Sequence, residues 1–101
     1  MVARYHSVKN HYLLLDAIKI LNNKIKNFKV LLVGTGVNKK NYELNSKLKL
    51  LNLSKKFILR DSSNKIDQYF NMMDIHVLPS FSEGFPNVIG EAMLNYTPCL
   101  V

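Results

Sequence analysis

The chain is short of several things, and each shortage removes a class of protein. It has one cysteine, Cys99, which excludes an internal disulfide and any cysteine-rich metal centre; a buried thiol beside the last strand is the expectation for it. No apolar run approaches the roughly 18 residues that span a bilayer. The opening Met1-Val-Ala-Arg-Tyr-His6 lacks the apolar core of a secretory signal, so a cytoplasmic protein is expected. His6, His11 and His76 stand at no metal-ligand spacing. His76 falls inside a strand pattern and reads as a satisfied core histidine, while His6 and His11 read as polar loop or helix-cap residues. No Ser-His-Asp or Cys-His arrangement can be assembled. Linkers, low-complexity tracts and internal repeats are missing too.

Acidic residues are scarce: 7 Asp and Glu stand against 14 Lys and Arg, a net charge of +7. The first reading is compositional, with lysines on polar helix faces. The second is a basic face turned to anionic lipid, peripheral at the inner side of a membrane, or to an anionic substrate. Nucleic acid is not an expected partner, because Lys24, Lys26, Lys39, Lys40, Lys55 and Lys56 are scattered and lie in no nucleic-acid-binding motif.

The 101 residues, 48% of them apolar, suffice for one small domain with a core. Short apolar strands alternate with amphipathic helices. Residues 1–5 look like a strand cut short. Leu13, Leu14, Ala17, Ile18 and Leu21 recur at helical spacing, which predicts a helix from His11 to about Asn23. Phe28 to Val33 reads as a buried strand stopped by Gly34-Thr-Gly36. Leu44, Leu48 and Leu51 mark a second helix, Phe57-Ile-Leu59 a short strand, and Ile66, Tyr69, Phe70 and Met73 a third helix. Asp74 to Leu78 is a strand, Pro86 to Tyr96 a fourth helix, and Cys99-Leu-Val101 begins one more strand. Tyr42, Phe57, Tyr69 and Phe70 fit core faces. Continuous apolar strands favour a parallel sheet covered on both faces. Their alternation with helices predicts an α/β fold of the Rossmann-like, doubly wound kind. Both ends fall inside strands, so a piece of a longer protein is expected, marginal in stability by itself.

The densest stretch of chemistry runs from Glu83 to Glu91. Seven residues separate these carboxylates, with Gly84 and Pro86 between them. The loop follows a strand, at the edge where open α/β sheets bind ligands. Gly84 permits close approach of backbone to a ligand, and Pro86 suits the first helical position. The N–H groups of Asn87, Val88 and Ile89 would face an anion at the helix N-terminus. On this helix Asn87, Gly90, Glu91 and Leu94 share one face, with Val88, Ala92 and Met93 largely on the other. The competing reading makes Glu83 and Glu91 ordinary acids favoured by the helix dipole. Arg4 and Lys9 lie in a loop after the first strand, where two cations could neutralise a diphosphate; two solvated surface cations are the alternative. Gly34-Thr-Gly36 is half of a dinucleotide fingerprint, with Lys39 at the third glycine position, and reads more safely as a tight turn.

Taken in order, these segments resemble one family. Arg4 and Lys9 in Ala3-Arg-Tyr-His-Ser-Val-Lys-Asn-His11, Leu32-Val-Gly-Thr-Gly36, Asp74-Ile-His-Val-Leu-Pro-Ser80 and Glu83-Gly-Phe-Pro-Asn-Val-Ile-Gly-Glu-Ala-Met93 are similar to the C-terminal, nucleotide-sugar-binding domain of family-4-type retaining glycosyltransferases with the GT-B fold. The resemblance covers nearly the whole chain. It implies residues 1–101 as part of the donor domain, with the acceptor-binding N-terminal domain absent. By position, Arg4 and Lys9 would hold the diphosphate and Glu83 the transferred sugar. Backbone of Gly84, Phe85, Pro86, Asn87 and Val88 would meet sugar and phosphate, and Glu91 the ribose. The segment around Arg60 would lie near the base. The donor is a nucleoside-diphosphate sugar, the acceptor a glycan or a lipid-linked sugar; no metal or other cofactor is implied. Ala3 departs from the family's usual glycine. The chain alone would transfer nothing. Two further readings stand beside this one: a non-catalytic remnant that binds nucleotide-sugar weakly at most, and a basic nucleic-acid-binding module.

Overall fold

In the computed structural model, which describes residues 1–84 and 86–101, the strands are short, two to four residues each. Strand β1 is Val30–Val33 and β2 is Phe57–Arg60. They pair in parallel from Val30 opposite Phe57 to Val33 opposite Arg60. Strands β3, His76–Val77, and β4, Cys99–Leu100, form a second parallel pair. The leading residues join the two. Ala3 N–H donates to the Val33 carbonyl at 2.8 Å and Tyr5 N–H to that of Thr35 at 2.8 Å, while on the opposite edge Val2 N–H donates to His76 Nε2 at 3.0 Å. The spatial order is therefore β2, β1, leading segment, β3, β4. A side chain stands where a backbone ladder would otherwise connect the halves.

Four helices cover this sheet. Helix α1, His11–Asn22, starts at Asn10, whose Oδ1 accepts Leu13 N–H; α2, Tyr42–Leu50, starts at Asn41, whose Oδ1 accepts Leu44 N–H. Such caps satisfy donors that the first turn leaves free. Helices α3, Ile66–Asn71, and α4, Asn87–Leu94, have no side-chain cap. Met1, Ala3 and Leu32 pack with Leu14 and Leu15 of α1 and Leu44 and Leu48 of α2. Val2 and Val33 point the other way, against Phe70 of α3 and Ala92 of α4. Adjacent residues of one strand thus feed opposite layers. The doubly wound parallel α/β expectation holds.

Several expectations need correction. The buried stripe of α1 is His11, Leu14, Leu15 and half-buried Ile18, while Leu13, Ala17 and Leu21 are exposed. Three consecutive leucines satisfy helical spacing in two registers, and the sheet selects one. His11 is consequently buried at the helix start, its ring 5.0 Å from that of Tyr5, and is not a polar loop residue. Tyr42 is exposed rather than core. Cys99 is half-buried within β4. Pro86 caps α4 at φ −77°, ψ 98° instead of occupying its first turn. The strands are shorter than predicted because Phe28, Lys29, Asp74 and Ile75 lie outside the paired ladders.

Candidate functional site

Strand order reverses between the leading segment and β3. In open α/β sheets the loops leaving two strands at such a point diverge and leave a crevice beyond their carboxyl ends. The loop from Arg4 to Asn10 leaves one strand and the loop from Pro79 to Gly84 the other. The first is stiffened locally: Ser7–Lys9 makes one 3₁₀ turn, His6 Nδ1 accepts Val8 N–H at 3.2 Å, and Asn10 closes it at φ 55°. His6 is thus a cap, as its loop position suggested. Phe81 N–H donates to the Val8 carbonyl at 2.9 Å and ties the loops together.

Across that tie, Lys9 Nζ donates to Glu83 Oε1 at 2.6 Å. The two side chains keep only 22% and 21% of their surface. The Lys9 ammonium holds the Glu83 carboxyl below the usual carboxylate range, which keeps Glu83 ionised at neutral pH. Sequence reasoning placed both residues in the site but set Lys9 beside Arg4. Arg4 is exposed, and no side-chain hydrogen bond engages it among the described residues.

Helix α4 follows directly. Ile89 N–H is taken by the Pro86 carbonyl at 3.0 Å, which removes one of the three donors expected there. The N–H groups of Asn87 and Val88 have no acceptor among the described residues. With the helix dipole they form a positive end suited to an anion. A Cβ built on Gly84 or Gly90 would meet nothing within 4 Å, so the space beside both is open. Glu91 is exposed on the same face as Asn87 and Gly90. Phe85 lies outside the described residues.

The other glycine pair serves packing. A Cβ on Gly34 would stand 2.1 Å from the Ala3 carbonyl oxygen, and Gly36 turns the chain at φ 82°. This is the tight turn anticipated, closed by Val37 N–H on the Gly34 carbonyl at 2.9 Å. It lets the leading segment lie directly on β1 and so fixes where Arg4 emerges.

Sequence reasoning missed a neighbouring cleft of about 370 Å³, lined by Tyr5, Asn10, His11, Tyr12, Glu43 and Phe81 among others. Tyr12 donates to Glu43 Oε1 at 2.8 Å across 31 residues of sequence, a pairing that no local motif signals. Burial raises the Tyr5 hydroxyl and pushes His11 down to about 4. Among the described residues, no group of three or more His, Cys, Asp or Glu is placed to hold a metal ion.

Open α/β sheets take ligands at such a switch point, and here a cation, a carboxylate and an open helix N-terminus stand beside it. The family described as Glycosyl transferases group 1 matches residues 1–101, and the chain belongs to it. It is 31% identical over 100 residues to EpsF of Bacillus subtilis (strain 168), a glycosyltransferase by name, covering 99% of this chain and 26% of that protein. It is 34% identical over 108 residues to the Escherichia coli UDP-Gal:alpha-D-GlcNAc-diphosphoundecaprenol alpha-1,3-galactosyltransferase, covering 100% of this chain and 26% of the relative. Anabaena Alr3699/HepE in complex with UDP and glucose superposes with a TM-score of 0.82 at 25% identity, over 97% of this chain and 27% of that one. Its complex with UDP gives 0.80 over the same shares. The chain thus spans about a quarter of the length of the relatives it matches.

Proposed function

We propose that this chain forms the donor-binding part of a retaining hexosyltransferase. The enzyme would move a sugar from a uridine-diphosphate sugar to a glycan or lipid-linked acceptor held by another domain. The observation that carries this reading is the Lys9–Glu83 pair at the switch point, beside the open N-terminus of α4. Family membership, the UDP in the Anabaena complexes and the lipid diphosphate in the name of the Escherichia coli relative support the choice of donor and acceptor.

In this mechanism the bond between the anomeric carbon and the diphosphate breaks, and its electron pair leaves on the diphosphate. The acceptor oxygen bonds to the same face of that carbon and releases its proton to the departing phosphate. Charge grows on the diphosphate as the bond stretches, so fixed positive groups there lower the barrier. Arg4, Lys9 and the Asn87 and Val88 N–H groups are those groups. Glu83, kept ionised by Lys9, accepts hydrogen bonds from the transferred sugar's hydroxyls, and backbone at Gly84, Phe85 and Pro86 borders the sugar. Glu91 accepts from the ribose hydroxyls.

Calorimetric titration of the chain with UDP tests the assignment. Arg4→Ala and Glu91→Ala should each weaken binding about 10- to 150-fold, since a charge-assisted hydrogen bond contributes roughly 1.5–3 kcal/mol. Unchanged affinity in both variants would refute the roles given to these residues.

A further inference from the structure

Helix α2 turns an exposed, basic face away from the sheet. Tyr42, Asn45, Ser46, Lys49 and Leu50 recur at intervals of three and four, so they form one stripe, opposite the buried Leu44 and Leu48. With Lys39 and Lys40 from the preceding turn they line a groove of about 590 Å³. Tyr42 is 85% exposed and Leu50 79%. None of Lys39, Lys40 and Lys49 is paired with a carboxylate among the described residues. Glu43, the one acid on α2, is turned to Tyr12, and Lys47, which does not line the groove, is engaged with Asp16 at 3.4 Å. The groove is therefore rimmed by cations unpaired among the described residues, one tyrosine and one leucine, and no acid lines it.

We infer that this face docks on an anionic lipid surface. Unpaired lysines within a Debye length of acidic headgroups are attracted electrostatically. Tyr42 is amphipathic and suits the interface between headgroups and acyl chains, where Leu50 can bury its side chain beside it. Contiguous phosphate headgroups match cations at the two ends of a helix about 12 Å from Tyr42 to Leu50: Lys39 and Lys40 stand before it and Lys49 lies in its last turn. A nucleic acid would also meet the charge, but an isolated Leu50 gains nothing from a phosphodiester backbone. Position favours the same partner: the turn bearing Lys39 and Lys40 leaves β1 at the sheet edge where the Lys9–Glu83 crevice opens. Docking would hold that crevice beside the bilayer. No helix among the described residues is long and apolar enough to cross a membrane, so contact would be peripheral. The inference rests on the donor-binding reading in one respect only, that a lipid-linked acceptor is met at a membrane.

Flotation of the chain with vesicles tests it, using phosphatidylcholine alone and phosphatidylcholine mixed with 30% phosphatidylglycerol. Binding to the mixed vesicles only, and its loss at high salt, is expected. Each surface lysine contributes about fivefold, so Lys39→Gln, Lys40→Gln and Lys49→Gln together should weaken binding roughly 100-fold. Tyr42→Ser with Leu50→Ser should weaken it at least severalfold. Both variants should keep the native circular dichroism and UDP affinity. Equal binding to neutral vesicles, no loss in the triple variant, or tighter binding to RNA than to the mixed vesicles at 100 mM salt would each overturn the inference. Vesicle binding without UDP binding would instead refute the donor site and leave the docking face standing.

Discussion

A lysine and a glutamate 74 positions apart share one hydrogen bond because two loops leave neighbouring strands at the switch point. The pair does two things before any ligand arrives. It keeps Glu83 ionised, and it holds both side chains with little rotamer freedom, so less ordering remains to be done on binding. Both residues were legible in the sequence as candidates for one site, because each sits in a motif beyond a strand. Their pairing was not, since it depends on the tie between Val8 and Phe81. Gly34 shows the reverse: a weak nucleotide signal whose actual role is contact with the leading segment. Gly34→Ala would place a methyl 2.1 Å from the Ala3 oxygen, far inside van der Waals distance. We expect it to cost about 2–4 kcal/mol of stability, measured by urea denaturation, and to displace the Arg4 loop. A cost below about 0.5 kcal/mol would mean that the leading segment does not press on that turn.

At the scale of elements, helix starts and stops follow local chemistry. Helices α2 and α4 both end in the same closure. After α2, Asn52 takes φ 57°, its N–H donates to Lys49 and Leu53 N–H reaches back to Leu48; after α4, Tyr96 takes φ 56°, its N–H donates to Met93 and Thr97 N–H reaches back to Ala92. Each is a Schellman motif, in which the left-handed residue is ordinarily glycine. Asparagine tolerates that conformation, whereas a tyrosine is strained by roughly 1–2 kcal/mol. Tyr96 is almost fully exposed, so little packing offsets the strain. Tyr96→Gly should therefore raise stability by about 0.5–1 kcal/mol after the extra unfolded-state entropy of glycine is allowed for. A thermal midpoint equal to or below the parent's would show that the tyrosine ring contributes what the backbone loses. Element identity was readable because apolar periodicity and strand length rarely conflict here. The face of α1 was not, since the Leu13-Leu-Leu15 run fits two registers and only the sheet decides between them.

For the whole molecule, one histidine joins the two strand pairs. His76 is fully buried and accepts Val2 N–H on Nε2, which requires the neutral ring. Burial pushes His76 down to about 4, as it does His11. Because the folded values lie below the unfolded one near 6.5, the fold favours the neutral rings. Their contribution is complete above pH 6.5 and is lost as pH falls from there towards 4. Unfolding free energy measured at pH 7, 5.5 and 4.5 should decline across that window. In His76→Leu the decline should be shallower, with a loss of about 1–3 kcal/mol at pH 7 from the unpaired Val2 N–H. An unchanged slope would remove His76 from this role. The sequence placed His76 in the core, but its bond to Val2 is a property of the assembled sheet.

The proposed donor nucleotide would bind in the crevice between the Arg4–Asn10 loop, the Pro79–Gly84 loop and the start of α4. Titration of the isotopically labelled chain with UDP, followed through backbone amide shifts, addresses it most directly. Saturable shifts are expected at Arg4, Lys9, Gly84, Asn87, Val88 and Glu91, with the Lys39–Leu50 face unmoved. A folded spectrum that shows no saturable shifts, or shifts centred away from these residues, would contradict it.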